Sequence, residues 1–499
     1  MKKLARLVGS ILVAALLLVA CQPGSSPVSS GPTGGAPAVS GPAGGGGPSG
    51  GSISLDPRNP VTVVVWHYYN GPILNAFQAS IREFNETAGR EKGIIVESHG
   101  LGNVSELERA VIASANREIG SMDMPNIFAS FPDTAYQAEK MGLLANLDDY
   151  FTPQEQALYL ESFIEEGRIG LGGELRIFPI AKATEALMVN ETDWLPFAAA
   201  NGVSYSDLET MEGIVRVAEL YYAWSDGKSL YGRDAMANLF IAASKAFGTE
   251  IFQVNSGVAT VNLNRDVLRL IWDNYYVPYI GGSFSAYGRF RSDDAKVGEI
   301  LMYVGSTSSA SFFPNEVTVG GTEYPVSAVV LPAPQFEGGQ NVMVQQGAGM
   351  VVTKSSPAEE YASVEFLKWF TEPSQNIEFA ASTGYLPVRL EALDYDLLRA
   401  HLDDRGIEIA QIVYDTLRVA LEKMGSSEMY TNKAFEGGTA ARRVLENHLQ
   451  AKAEADRESV VELIGGGMAR DMAVARFNTN DNFNQWVDAF TEELIEAAN

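Results

Sequence analysis

Between residues 61 and 151 the chain alternates between two hydrophobic periods, and that alternation restricts its fold more than any other property. Val61, Val63 and Val65, with Thr62 and Val64 between them, form a β-branched run ending at Trp66 and read as a buried strand. Leu74, Phe77, Ile81 and Phe84 follow at helical spacing, with Gly89 as the expected stop. "GIIVESHG" reads as a second strand, "SELERAVIASANREIG" as a helix, "MPNIFAS" as a third short strand and "TAYQAEKMGLLANLDDYF" as a further helix. A strand–helix series of this kind predicts an α/β domain with a mostly parallel sheet.

The pattern continues less regularly. "ELRIFPIAKATEALMVN" is one extended apolar passage, and 205–252 reads as mainly helical. "RDVLRLIWDNYYVPYI" is a further helix, followed by "VGEILMYVGSTSSASFF" and "YPVSAVVLPAPQF". A strand ends near Thr353; Ser356 then precedes Glu359 by three residues, with Pro357 at the first helical position, the signature of a capping box. Val364, Leu367 and Phe370 share one face of that helix, and the C-terminal quarter is helical with a break at Gly465–Gly467. The roughly 440 residues involved exceed one ordinary core, so two lobes are expected.

The N-terminus is of a different kind. Lys2, Lys3 and Arg6 precede an apolar run to Ala20, which predicts a secretory signal peptide over 1–20, too short and wrongly flanked for a membrane span. Cys21 is the only cysteine in 499 residues, and "LVAC" resembles a bacterial lipobox, in which the cysteine is acylated and becomes the mature N-terminus. An ordinary secretory signal with an accidental cysteine is the alternative. From Gln22 to Ser52 the chain is mostly Gly, Pro, Ser and Ala, without charge, so 21–59 is expected to be a disordered tether spanning roughly 30 Å. With Cys21 lipidated, no thiol remains for a disulfide, a metal or nucleophilic chemistry. The net charge of −26 becomes −29 once Lys2, Lys3 and Arg6 are removed, a balance that repels nucleic acid and anionic lipid.

Motifs of catalysis are missing. The sequence holds no H-E-x-x-H, G-x-S-x-G, phosphate loop, strand-linked G-x-G-x-x-G or D-x-D-x-D-G calcium loop, so no cofactor, metal centre or catalytic residue is expected. His67, His99, His401 and His448 lie far apart; only His67, between Trp66 and Tyr68 at a strand's end, is placed for function. A carboxylate pair of the glycosidase kind could sit among so many acidic residues, and that alternative stays open.

"VVVWHYYNGPILNAFQASIREFNE", "MPNIFASFPDTAYQAEKMGLLANLDDYF", "GGELRIFPIAKATEALMVNETDW", "VGEILMYVGSTSSASFF", "VLPAPQFEGGQNVMVQQGAGMVVTKSSPAEEYASVEFLKWFTEP" and "STGYLPV" occur in that order. The series resembles the bacterial extracellular solute-binding proteins of family 1, two-lobed receptors that feed ABC importers with sugars, oligosaccharides and glycerol phosphates. The resemblance implies a type II periplasmic-binding-protein fold, α/β, with a mostly parallel sheet flanked by helices in each lobe. It places lobe one over 60–181 and 332–384, lobe two over 182–331 and 385–499, and the ligand between them.

The resemblance also implies site residues. Asp133 stands where sugar-binding members hold hydroxyls, or else caps its own helix. Thr184 and Glu185 lie where the chain enters lobe two; Ser306, Thr307 and Ser308 offer hydroxyls on a small-residue loop. Gly347 would admit close backbone approach, Tyr385 would stack on a sugar, and Tyr68 follows the first strand, whereas Trp66 is expected in the core. "Trp-His", "GSTSSAS" and "TGYLPV" look most like the glycerol-3-phosphate-binding branch, but Glu436 stands where that branch carries its phosphate-binding arginine, and Arg442 and Arg443 follow in a helix. A carboxylate repels phosphate, so the expected ligand is a neutral carbohydrate, with glycerol-3-phosphate as the alternative. The implied partners are the ligand, a permease and, through Cys21, a membrane at the cell envelope, with the protein a monomer that undergoes hinge closure and binds no nucleic acid.

Overall fold

The β-branched run Val61–His67 pairs in parallel along its whole length with Ile94–Gly100, from Val61↔Ile94 to His67↔Gly100. The computed structural model to which these strands belong describes residues 53–499. The expected signal peptide, Cys21 and the 21–52 part of the expected tether lie outside the described residues. The first sheet has the order Ile94–Gly100, Val61–His67, Ile127–Ser130, Gly349–Val352, Ile177–Phe178. Val63 and Val65 are fully buried in it and Trp66 joins the same core.

The helix Gly71–Glu86 turns Phe77, Ile81 and Phe84 onto this sheet. Gly89 does not stop it. It lies buried in the short helix Ala88–Lys92, where a Cβ would come within 2.8 Å of the Phe84 carbonyl oxygen; the left-handed stop is Gly93, at φ +76°. The capping box forms as expected, with the Glu359 N–H on the Ser356 hydroxyl at 3.3 Å and the Ser356 N–H on the Glu359 carboxylate at 3.0 Å.

A second sheet has the order Ala328–Pro332, Glu185–Asn190, Met302–Ser306, Tyr231–Arg233. Leu187 and Val189 enter one core with the helices Met236–Ala246, Gly438–Gly465 and Asn480–Ala498, while Met188 and Tyr303 face another under Tyr395–Arg405 and Gln411–Met424. This is the two-faced burial of a strand covered by helices on both sides. The strand Tyr231–Arg233 interrupts the segment expected to be mainly helical; three fully buried residues are too few to show a period of their own.

The two lobes of the α/β fold are thus present, each with its own sheet, and both sheets are mixed. Ala328–Pro332 runs antiparallel to Glu185–Asn190, and Gly349–Val352 runs antiparallel to both of its neighbours, the latter because it belongs to chain returning from the second lobe. Three crossing segments meet where the lobes join: Ala183 bridges to Gln346 and Lys182 to Leu386. Phe336 packs into the second core and Met350 into the first, so the return crossing falls near Gln346, later than the 332 expected.

Candidate functional site

A cleft of about 1080 Å³ opens beside these crossings. The first lobe contributes Ile73, Glu108, Phe131 and Asp133, and the second contributes Glu185, Arg233, Asn238, Ser306, Ser308 and Arg442. Glu185 and Ser306 are cross-strand partners, so both emerge at the same edge of the second sheet.

The cleft floor is a joined polar network. The buried Glu185 carboxylate pairs with Arg233 and accepts from the Asn238 amide at 3.0 Å. Asn238 also donates to Gln346 at 3.1 Å and accepts from Arg442 at 2.8 Å. Gln346 donates in turn to the Thr184 carbonyl at 2.9 Å. Arg233 has a raised pKa despite its burial, because the Glu185 carboxylate beside it opposes the desolvation. Its Nε has no partner. Ser306 and Ser308 exchange a hydrogen bond at 3.0 Å.

At the rim, Asp133 meets the other lobe. It sits in the first turn of Pro132–Lys140, whose N-cap is Phe131, so it does not cap its own helix. Its carboxylate faces the start of the long helix Gly438–Gly465, so close that a Cβ on Gly438 would lie 2.1 Å from Oδ1. Burial pushes the Asp133 carboxyl up to about 6, against the opposing pull of the Phe435 N–H and Arg442, with Glu108 adding to the rise. Lys140 and Glu436 bridge the same rim at 2.7 Å.

Of the residues expected in the site, Asp133, Glu185, Ser306 and Ser308 therefore line one cleft. Tyr68 and Tyr385 lie behind its wall, with the Tyr385 hydroxyl against Tyr68 and Ser308. Thr184 and Thr307 are buried at the crossing, where the Thr307 N–H donates to the Thr184 carbonyl at 2.8 Å. Gly347 is buried too and gives its carbonyl to Lys182 Nζ at 2.8 Å. Glu436 points to solvent and Lys140 rather than into the cleft, so the charge argument built on it against phosphate fails. Conversely, Arg442 and Arg443, which the sequence left unplaced, both reach the cleft.

Sequence reasoning missed Arg233, Asn238, Gln346, Tyr287 and Phe290. Arg233 ends the unrecognised strand Tyr231–Arg233, Asn238 lies in the helix after it, and no local motif marks the others. Buried His67 has its pKa lowered to about 4 by desolvation, with His99 adding to the effect, and its Nδ1 accepts the Tyr69 N–H at 3.1 Å. Among the described residues no group of His, Cys, Asp and Glu has metal-binding geometry.

The model of the bacterial extracellular solute-binding protein family matches residues 79–401. No curated protein sequence matches the chain. Among solved structures, the cyclic α-maltosyl-1,6-maltose binding protein from Arthrobacter globiformis is similar at 19% identity and a TM-score of 0.61, over 86% of this chain and 99% of that one. UgpB from Mycobacterium tuberculosis in complex with glycerophosphocholine is similar at 18% identity and 0.62, over 87% and 99%. The maltotriose binding protein of Thermus thermophilus, bound with maltotriose, is similar at 16% identity and 0.57, over 88% and 100%. At such identities the likeness is one of fold.

Proposed function

The chain belongs to the bacterial extracellular solute-binding protein family, and we propose that it is the lipid-anchored receptor of an ABC importer, capturing a carbohydrate in the interlobe cleft without turning it over. The observation that carries this reading is the cleft floor. There Arg233 neutralises Glu185, and the amides of Asn238 and Gln346 and the hydroxyls of Ser306 and Ser308 stand beside it. Groups that both donate and accept suit hydroxyls, which do the same. Glu108, Asp133, Glu446 and Glu454 line the same cleft and disfavour an anion. Glu446 also occupies the N–H groups of Met236 and Ala237, at 3.1 and 2.9 Å, which would otherwise offer a phosphate the start of a helix.

Ligand contacts from both lobes would favour the closed form, which a permease would recognise. Cys21 would hold the protein, a monomer, at the membrane through acyl chains; among the described residues no helix is long and apolar enough to cross it. A second reading, glycerol-3-phosphate or a related phosphodiester, is favoured by one observation: Arg442 and Arg443 both face the cleft.

A thermal-shift screen of the full-length protein in detergent separates these readings. Saccharides should raise the melting temperature, since a ligand at 100 times its Kd adds about 2.7 kcal/mol of stability. Mass spectrometry of the recovered ligand should show it unchanged. Cleaved products would replace the receptor by a glycoside hydrolase or lyase, and a shift with glycerol-3-phosphate alone would establish the second reading.

A further inference from the structure

Resting on the lipid-anchored reading above, we propose that the loop Asn116–Met124 is a membrane contact: Ile119 and Met122 enter the lipid surface that holds the acyl chains of Cys21, and the first lobe rests there with the cleft turned away. The described chain begins beside this loop. Leu55 packs against the first core, a Cβ on Gly93 would lie 2.8 Å from the Asp56 carbonyl carbon, and the Val61 N–H donates to the Gly93 carbonyl at 2.9 Å. These residues sit at the N-terminal end of the parallel strands. The register Val65↔Ile127 brings the chain before the third strand back to that end, where Asn126 Oδ1 accepts the Val64 N–H at 2.9 Å.

The loop turns apolar side chains into water and is held while doing so. Ile119 is fully exposed and Met122 is 48% exposed; Ile95, paired with Thr62 at the same end of the sheet, is 39% exposed. The Ser121 N–H donates to the Glu118 carbonyl at 3.0 Å and closes a β-turn with Ile119 in its second position. Gly120, at φ +87°, takes the third, as in a type II turn. Ile119 thus stands at the corner of a turn, where an aliphatic side chain contributes nothing to the core. The Glu118 N–H donates to the Ala113 carbonyl at 3.0 Å and the Ser114 hydroxyl to the Met122 carbonyl, so both ends of the turn are tied to the helix Val104–Ala115. Met124 closes the loop by packing against the first core. Arg117 adopts φ +55°, a left-handed conformation that side-chain-bearing residues rarely take.

Such a loop fits a partner that is apolar, extended and already close. The expected tether, Gln22–Ser52, spans roughly 30 Å and joins the lobe at this end, so acyl chains at Cys21 bring a bilayer within reach of Ile119. Tethering raises the local concentration of that surface to about the millimolar range, where a contact too weak to hold the free protein is populated. The loop carries Arg117 against Glu118 and Asp123, so the contact is one of side-chain burial and not of attraction to headgroups. The strand Val61–His67 runs about 20 Å from this end towards the cleft, where Phe131 and Asp133 follow a strand of the same sheet. A lobe resting on Ile119 therefore keeps its cleft open to solute, and docking on a permease releases the loop.

The test uses the acylated full-length chain in phosphatidylcholine vesicles. With Cys21 modified, Glu118→Cys supplies one thiol for an environment-sensitive dye, and Lys228→Cys, exposed in the second lobe, supplies the control. Nitroxide lipids should quench the dye at 118 and spare the dye at 228. The double variant Ile119→Ser, Met122→Ser should lower the ratio of lipid-bound to free loop, read from that quenching, at least about tenfold. Both residues are exposed, so the double variant should melt with the parent and still float with the vesicles. Salt at about 1 M should leave the quenching unchanged. Equal quenching at the two positions, quenching that survives the double variant, or quenching lost in salt overturns the contact and leaves the anchor intact. A dye at 118 shielded without vesicles, in proportion to protein concentration, gives the loop to a second copy of the chain and overturns the contact as well. Failure of the parent to float with vesicles overturns the anchor at Cys21 and the contact with it.

Discussion

The lobes are joined by charged residues at two places, and the two are built in opposite ways. At the crossing, Lys182 and Glu166 are 2% and 8% exposed, and the ion pair is enclosed by the Gly347 carbonyl and Gln345. At the rim, Lys140 and Glu436 are 41% and 67% exposed, and Asp133 between the lobes is half-buried. A buried pair is costly to separate, because each partner alone would be a charge without solvent. An exposed pair hydrates at once and opens at little cost. In the hinge closure proposed above, the crossing would persist and the rim would be made and broken.

The largest effect follows from breaking the crossing. Lys182→Ala leaves Glu166 buried with Gln345 as its remaining polar partner and should destabilise the folded protein by about 3–5 kcal/mol, read as a lower urea midpoint. Lys182→Met paired with Glu166→Leu should recover most of that loss. If the single variant unfolds like the parent, the crossing is no stiffer than the rim and the contrast collapses.

The rim predicts a pH dependence of definite sign. The Asp133 carboxyl sits at about 6 in this contact against an ordinary 3.8, so contact between the lobes takes up a proton between those values. A raised carboxyl disfavours the contact above that range, so closure strengthens as pH falls from 7 towards 4 and levels off below. The limiting slope for one such group is about 1.4 kcal/mol per pH unit. Energy transfer between dyes on the two lobes should rise on acidification and lose most of this rise in Asp133→Asn. Glu108, whose own pKa is raised chiefly by burial, should leave a residue of the same sign. Gly438→Ala, whose methyl cannot share space with the Asp133 carboxylate, should shift the lobes apart at every pH.

Both regions explain what could be read in advance. The strand Val61–His67 and the cap Ser356–Glu359 are specified by residues close in sequence, and they stand where the pattern put them. Glu185 and Ser306 were legible only through the family resemblance; as cross-strand partners, one starts its strand where the other ends, which sets both at the cleft. Thr184 and Thr307 flank the same strand ends and Gly347 lies in the return crossing, but residues beside a crossing are shared between lining the cleft and pairing the chain with itself, and these three pair. Arg442 and Arg443 could not be aimed from sequence, because their direction depends on the residue at which a long helix starts. That helix begins at Gly438, which leaves both in its first two turns, beside the cleft. Tyr287 and Phe290 look like core residues by type, and only the buried Asp294 and Arg291 behind them turn them outward.

The smallest prediction sharpens the comparison most, because it concerns the one contact whose energy should barely register in folding. Glu436→Ala removes the Lys140 pair and should change stability by no more than about 0.2–1 kcal/mol, since both partners are largely hydrated. The same fraction of a kcal/mol matters more in the proposed open–closed equilibrium than in folding, because conformations that exchange in this way differ by only a few kcal/mol. The dye-pair signal without ligand should therefore move towards the open form while the urea midpoint stays fixed. High salt should reproduce the effect in the parent protein and have little effect in the variant, as the Debye length falls to about 3 Å at 1 M and an exposed pair is then screened. A variant that loses stability but keeps its lobe separation would place the Lys140–Glu436 pair in the folded core of the molecule instead of at its moving edge.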